Sequence, residues 1–593
     1  MINFKKIITD SKNNKIINLW GHISFRRRKQ FWLVLILMII ASVSEIVSLG
    51  AVLPFLGVLT APEQVYHHQL AQPLIQFLNI NNPKQLILPF TCFFVAAAIF
   101  SGMIRLALLY VMTRLSFATG ADLSVDIYKR TLYQDFSVHA MRNSSEVING
   151  IITKTNAVIH GILMPLLILI SSAVLLMGIL AVLFRIDTIA ALTSFLGFGV
   201  LYGVITIYTR DKLKKNSRCI AKESTVLVKA LQEGLGGIRD VLLDGSQKFY
   251  VKTYQSADVP LRRATGDNLF ISGSPRYIIE AIGTALIAVI AYVMTQGDDD
   301  ISTVIPVLGA LALGAQKLLP VMQQAFRAYS NIKGTMASFD DVLLLLHQPL
   351  PCHVEKPIPF KANIELKQIS FRYSNESPWV FENIDLKISK GARVGFMGVT
   401  GSGKSTLLDV VMGLLPPTSG GLYVDGRCVD NENTRAWQAR IAHVPQNIYL
   451  SDGTIKENIA LGTPKNLIDH KLVDKVIQQA QLMDFIEGLK DGCQTLVGER
   501  GVRLSGGQRQ RIGIARALYK QVDILIFDEA TSALDGGTEE EVMSAINSLN
   551  RELTIFIIAH RLTTLKGCDT VIKLCDGHIL NTGSYQEIVD LSN

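Results

Sequence analysis

The chain has 593 residues, of which 49% are hydrophobic and only 18% charged, a balance too apolar for a soluble enzyme of this length and expected of a chain with membrane spans. The net charge of +8 does not call for nucleic acid, because the basic residues near the apolar runs sit where a cytoplasmic membrane surface favours them. The seven cysteines (Cys92, Cys219, Cys352, Cys428, Cys493, Cys568 and Cys575) form no CxxC pair and no metal-ligand spacing, so reduced cytosolic thiols are expected.

The first thirty or so residues are polar and basic and show no cleavage site, so the first apolar run is expected to act as its own insertion signal. Apolar runs near the ~20 residues a bilayer core requires predict spans at roughly Phe31 to Leu59, Leu86 to Met112, Ile159 to Phe184, Thr188 to Tyr208, Tyr277 to Thr295 and Ile301 to Met322. Lysine and arginine placement sets the topology. Arg26, Arg27, Arg28 and Lys29 put the N-terminus inside, and the Lys/Arg-poor segment from Thr60 to Pro83 is external. The long segments carrying Arg114, Lys129, Arg130, Arg142 and Lys154, and then Arg210, Lys212, Lys214, Lys215 and Arg218, are internal. Arg185-Ile186-Asp187 and the acidic Gly297 to Asp300 make short external turns.

Both internal segments keep helical periodicity, as in "SVDIYKRTLYQDF" and "STVLVKALQEGL". The membrane helices are therefore expected to continue into the cytoplasm and to turn at short connecting helices near Asp135 to Asn143 and Gly236 to Gly245. The external "EQVYHHQLAQPLIQFLNI" mixes polar and apolar residues at helical spacing and is predicted as an interfacial helix.

After the proline-bearing linker "HQPLPCHVEKPIPF", short β-rich runs alternate with helical patterns from Ile364 onward, the pattern of an α/β domain with a mainly parallel sheet. The expected architecture is an α-helical six-span domain over residues 1–345 followed by an α/β P-loop nucleotide-binding domain over 346–593.

"ARVGFMGVTGSGKSTLLDVVMGL" reads strand, loop, helix, and Gly398 to Ser405 fits G-x-x-x-x-G-K-S. Backbone N–H groups of Gly398, Thr400, Gly401, Ser402 and Gly403 suit the phosphates of ATP, with the helix N-terminus aimed at them. Lys404 brings a cation to the terminal phosphates; Ser405 offers a hydroxyl to Mg²⁺, and Thr406 follows it. "VDILIFDEA" is a buried strand ending in Asp528, placed for the magnesium shell, and Glu529, which can orient or deprotonate the attacking water. Tyr373 can stack on an adenine face, Gln446 can reach Mg²⁺ and water, and His560, after another apolar strand, can bond the γ-phosphate. Each of these three would alone be read as structural; their order makes them credible.

Tyr373, "GVTGSGKST", Gln446, "LSGGQ", "ILIFDE", "SALD" and His560 resemble, in order and spacing, the seven motifs of an ABC-transporter nucleotide-binding domain. "TLVGERG" at Thr495 to Gly501 is similar to the segment before the signature in ABC exporters, and six spans ahead of such a domain resemble a half-size exporter. The resemblance implies that Ser505, Gly506, Gly507 and Gln508 close on ATP held by a partner chain, and that Ser532 to Asp535 link the two sites. All motif residues are intact, so the expected partner is a second copy. ATP binding would then close the pair, and hydrolysis through Glu529 would reopen it.

Cargo is argued from the membrane half. Glu45, Arg105, Glu280 and Lys317 lie within or near spans, and ionisable groups at bilayer depth are functional candidates. "SVSEIVSLGAVLPFL" and "EGLGGIRDVLLDGSQKFY" resemble segments of the bacterial lipid-linked oligosaccharide flippases. The resemblance implies a lipid or glycolipid cargo, moved across a bacterial inner membrane with the nucleotide-binding domain in the cytoplasm. A general lipid or multidrug exporter is the alternative. The short leader disfavours a peptide exporter, intact Glu529 disfavours a gated channel, and membrane insertion would exclude a soluble ATPase acting on DNA or ribosomes.

Overall fold

The structure is a computed structural model. It describes residues 15–60, 62–67, 72, 76, 82–186, 188–295, 301–350, 358–529, 536–559 and 561–590. The chain divides into two compact units, residues 1–133 with 142–349, and residues 134–141 with 350–593.

The first unit is helical. A short helix α1 (Lys15–His22) leads into α2 (Phe25–Gly50), where Arg28 donates to the carbonyls of Ile23 and Gly21 at 2.9 Å and so covers the carbonyl end of α1. The predicted first span is interrupted at Ala51 and resumes as a helix over Val52–Thr60, in which Pro54 cannot donate a helical hydrogen bond. Next come α3 (Ile87–Leu132), α4 (Met164–Ile186), α5 (Thr188–Gly236), α6 (Gln247–Gly273), α7 (Pro275–Thr295) and α8 (Ile301–Leu346). Each of the other five predicted spans falls largely on one of these helices. Three stretches of described residues (Phe25–Ser48, Pro83–Leu132 and Ser144–Ala181) are long and apolar enough to cross a membrane.

α3 and α5 run to 46 and 49 residues, roughly 70 Å at 1.5 Å per residue, more than twice a bilayer core. The expected extension beyond the membrane follows from that length. The short helix Ile238–Leu243 stands at one predicted inner turn, and Phe136–Met141, which belongs to the second compact unit, stands at the other. Before α4 the chain passes through two π-helical turns, Gly150–Lys154 and Ile159–Leu163. Gly161 in the second is needed for close approach, because a Cβ there would lie 2.1 Å from the Thr335 hydroxyl on α8. Most of the predicted interfacial helix, Asp187, Gly297 to Asp300 and residues 351–357 of the linker lie outside the described residues.

Among the described residues of the second unit, ten strands form two sheets. The larger has order β10-β9-β3-β8-β7-β6, with β3 (Arg393–Met397), β6 (Ile441–Val444), β7 (Ile524–Asp528), β8 (Thr554–Ile558) and β9 (Thr570–Cys575) parallel, and β10 (His578–Gly583) antiparallel at one edge. The apolar runs of β7 and β8 follow from burial on both faces. Leu525, Phe527, Ile555 and Ile557 enter one core, while Ile524, Ile526, Phe556 and Ile558 enter the other. The smaller sheet, β2-β1-β4-β5 with β5 at Arg427–Cys428, is antiparallel and was not anticipated from the sequence. Its strands β1 (Asn363–Phe371), β2 (Phe381–Ser389) and β4 (Ser419–Val424) supply Ile364, Leu366, Ile384 and Leu422 to the second core.

Candidate nucleotide site and membrane cavity

The parallel strands bring the predicted nucleotide residues to one edge of the sheet. Gly398 follows β3, Gln446 follows β6, Asp528 ends β7 with Glu529 next, and position 560 follows β8. The carboxyl edge of a parallel sheet is where α/β domains bind ligands. His560 itself, and Ser532 to Asp535 of the "SALD" segment, lie outside the described residues.

Residues 398–403 form a compact loop into helix α9 (Lys404–Val411). Gly398 cannot be replaced without moving backbone, since a Cβ would lie 2.3 Å from the Leu574 carbonyl oxygen. Gly403, at φ +93°, is left-handed and caps the helix. The Lys404 ammonium donates to the carbonyls of Gly398 and Val399, both at 2.9 Å, and reaches the Ser402 hydroxyl at 3.4 Å. The buried lysine thus folds the loop over itself. Burial pulls its pKa down, with Glu529 and Asp528 opposing.

Ser405 Oγ donates to Asp528 Oδ1 at 3.4 Å, and Gln446 Nε2 donates to Glu529 Oε2 at 2.6 Å. A hydroxyl, a carboxylate and the amide oxygen left on Gln446 are hard oxygen donors of the kind Mg²⁺ takes, so the residues fit that ion. Glu529 has φ +49°, which turns the chain sharply after β7, while its N–H continues the β7–β8 ladder by donating to the Ile558 carbonyl at 3.1 Å. Tyr373 is half exposed, packs edge-on against Phe371 at 5.1 Å between ring centres, and shares a hydrogen bond with the Thr406 hydroxyl at 3.2 Å. It therefore keeps an open face beside the loop.

The second glycine turn starts helix α10 (Gly506–Tyr519) with a reciprocal cap. Ser505 Oγ accepts from Gln508 N at 3.2 Å, and Gln508 Oε1 accepts from Ser505 N at 2.9 Å. Both side chains serve their own helix here. Among the described residues no hydrogen bond or ion pair joins 505–508 to the 398–406 loop. Arg516 fixes α10 by donating to the carbonyls of Asn458 and Tyr449 at 2.8 and 2.9 Å.

No sequence motif points to Glu539. It lies on α11 (Gly536–Asn547), is buried, and accepts from Arg561 Nη1 at 2.6 Å and from the buried Thr564 hydroxyl at 2.8 Å. It thus anchors the segment directly after His560. Asp409 on α9 was also missed; burial, then Asp528, pushes its carboxyl up to about 6.

In the membrane unit, Glu45 and Arg105 meet. Arg105 Nη1 donates to Glu45 Oε2 at 3.4 Å, and Ser101 Oγ donates to the same oxygen at 2.9 Å. Ser101 was not foreseen, although its i, i+4 spacing from Arg105 on α3 puts both on one helix face. The pair lines a cavity of about 400 Å³ with Ser42, Ser171 and Gln324. Glu280 is not in that lining; it pairs with Arg276 on its own helix at 2.8 Å. Lys317 lies on α8 with its side chain outside the described residues.

A helical membrane unit joined to a P-loop domain with an acidic strand tip defines a membrane-embedded ATPase. The ABC transporter transmembrane region family matches residues 30–305, and the ABC transporter family matches residues 381–532. An ATP-dependent lipid A-core flippase from Saccharophagus degradans is 30% identical over 485 residues, covering 79% of this chain and 80% of that one. Another, from Cupriavidus metallidurans, is 26% identical over 510 residues and 84% of each chain. A putative multidrug export ATP-binding/permease protein, YgaD of Bacillus subtilis, is 27% identical over 480 residues, with 79% and 81% covered. The solved structure of a bacterial Atm1-family ABC exporter with ATP bound superposes with TM-score 0.77 at 22% identity, covering 96% of this chain and 97% of that one, and shares the fold. The chain belongs to the ABC transporter family, as a half-size exporter that couples ATP hydrolysis to transport.

Proposed function

We propose that this exporter works as a homodimer in a bacterial inner membrane, with its nucleotide-binding domain in the cytoplasm, and flips a lipid-linked oligosaccharide or related glycolipid between leaflets. The observation that carries the cargo assignment is the Glu45–Arg105 pair lining a cavity among apolar helices, because charge at bilayer depth is costly and is kept where polar cargo passes. The names of the flippase relatives support a lipid cargo. A general lipid or drug exporter is the second reading, favoured by the YgaD relative.

In this reading ATP lies along Gly398, Thr400, Gly401, Ser402, Gly403, Lys404 and Thr406, with its base on Tyr373. Ser405, Gln446 and Asp528 would hold Mg²⁺, which would supply positive charge against the phosphates. Lys404 exchanges its carbonyl partners for phosphate oxygens. Glu529 takes the proton of the attacking water, held in line by Gln446 and assisted by His560. Ser505, Gly506, Gly507 and Gln508 of each copy close on the nucleotide of the other, offering backbone donors and a helix N-terminus. Domains 1–345 and 346–593 divide membrane work from hydrolysis.

The test is reconstitution in liposomes with a polyprenyl-pyrophosphate oligosaccharide and E529Q as control. ATP-dependent movement by the intact protein and none by the variant is expected. Intact ATPase activity without movement of that lipid or of lipid A-core would overturn the cargo assignment.

A further inference from the structure

We infer that Glu45 is a resident counter-ion that sets a charge threshold for cargo, admitting to Arg105 only head groups that carry more than one negative charge. The inference rests on the lipid-export reading and specifies the head group it selects.

The two partners are unequally placed. The Glu45 side chain is 10% exposed, while that of Arg105 is 59% exposed and borders the cavity. Glu45 lies 17 positions after Arg28 on α2, about 26 Å along the helix at 1.5 Å per residue, within the roughly 30 Å of a bilayer core and towards its outer half. The carboxylate is fixed by Ser101, itself 2% exposed, which donates to the oxygen that Arg105 shares. α2 is held in place by Ser42 Oγ, which donates to the Val174 carbonyl at 3.3 Å, and by packing of Met38 and Ala41 with Leu108, Met112 and Leu167. The anion is therefore anchored and the cation faces the cavity.

A fixed carboxylate changes what Arg105 can recruit. A neutral head group gains nothing from a cation that is already paired. A phosphodiester, with one negative charge, offers Arg105 only what Glu45 already gives and meets the Glu45 charge at close range. A phosphomonoester or pyrophosphate brings a second charge and two or more oxygens in bidentate reach of the guanidinium, so it can outbid one carboxylate oxygen held at 3.4 Å. A built-in competitor of this kind works against the abundant singly charged lipids of the bilayer. The Ser42, Ser171 and Gln324 side chains in the same cavity supply polar groups for the displaced oxygens or for a sugar.

Native mass spectrometry of the full-length protein in detergent, titrated with phosphatidylcholine, phosphatidylglycerol and phosphatidic acid, tests this directly. The intact protein should prefer phosphatidic acid over phosphatidylglycerol. E45Q keeps an acceptor for Ser101 and frees Arg105, so its affinity for phosphatidylglycerol should rise at least about fivefold. R105Q should lose the phosphatidic acid preference, and the double variant E45Q/R105Q, which carries neither charge, should also lack it while binding anionic lipid no more weakly than R105Q. Equal phosphatidylglycerol binding by E45Q and the intact protein would overturn the threshold. Failure of the export reading would show separately, as absence of lipid movement in the liposome assay.

Discussion

Replacing Glu539 should impair hydrolysis without contacting nucleotide. Its carboxylate holds Arg561 and Thr564, the residues that leave the His560 position, against α11. The Arg561 side chain is 59% exposed, so its ion pair is solvent-screened and contributes about 0.5 kcal/mol. The Thr564 hydroxyl belongs to a residue 5% exposed, and a hydrogen bond to an ionised acceptor in that setting contributes about 1.5–3 kcal/mol. E539A forfeits both and leaves a buried hydroxyl unsatisfied, about 2–3.5 kcal/mol in all. If that energy holds the segment in its competent position, the turnover rate falls about tenfold for each 1.4 kcal/mol lost. E539A should therefore reduce kcat by roughly 30- to 300-fold with KM for ATP nearly unchanged. E539Q, which still accepts from Thr564, should fall between E539A and the intact protein. The assay is steady-state ATP hydrolysis by purified protein, beside thermal unfolding to show that each variant is folded. A folded E539A with the turnover of the intact protein would refute the reasoning.

E529Q should retain ATP binding, measured by equilibrium titration, and lose about 10²- to 10⁴-fold in turnover, the usual worth of a general base; full hydrolysis would remove Glu529 from that role. Burial pushes His443 down to about 4 from its unfolded value of 6.5, so the unfolded chain takes up the proton first and stability falls as pH drops from 6.5 towards 4. H443L should flatten that slope in unfolding midpoints taken between pH 7 and pH 4.5, and an unchanged slope would exclude His443 as its source. Asp409 has the opposite sense for its type: with its folded pKa raised to about 6 from 3.8, ionisation costs stability as pH rises through 6. D409N should stabilise the protein at pH 8 by about 1–2 kcal/mol, after discount for partial exposure, and leave it unchanged at pH 4. No difference between the two pH values would assign the residue no cost.

What the sequence carried, and what it did not, divides by how local the constraint is. Phosphate recognition needs glycines, a lysine and a hydroxyl at fixed spacing, because one loop must turn within a few residues; Gly398 and Gly403 are where the backbone leaves no alternative. β7 and β8 were legible because burial on both faces leaves only apolar residues. The antiparallel sheet was not, since its strands bury one face and pair across segments as far apart as Ile364 and Val424. Ser505 answers to a local constraint as well: its hydroxyl caps its own helix through the i, i+3 relation to Gln508, which the motif also contains.

The Glu45–Arg105 pair lies beyond any local rule. The residues are 60 positions apart, on two helices whose relative register no periodicity reports. Each alone gave only an expensive ionisable group at bilayer depth. Together with Ser101 they become a charge-balanced unit whose net cost is lower than that of either charge alone, which is how a membrane helix can carry them both. The same balance makes the pair selective: a counter-ion that lowers the cost of Arg105 in the empty cavity must be outcompeted by whatever binds there. Stability of the resting protein and discrimination among head groups thus depend on one carboxylate oxygen.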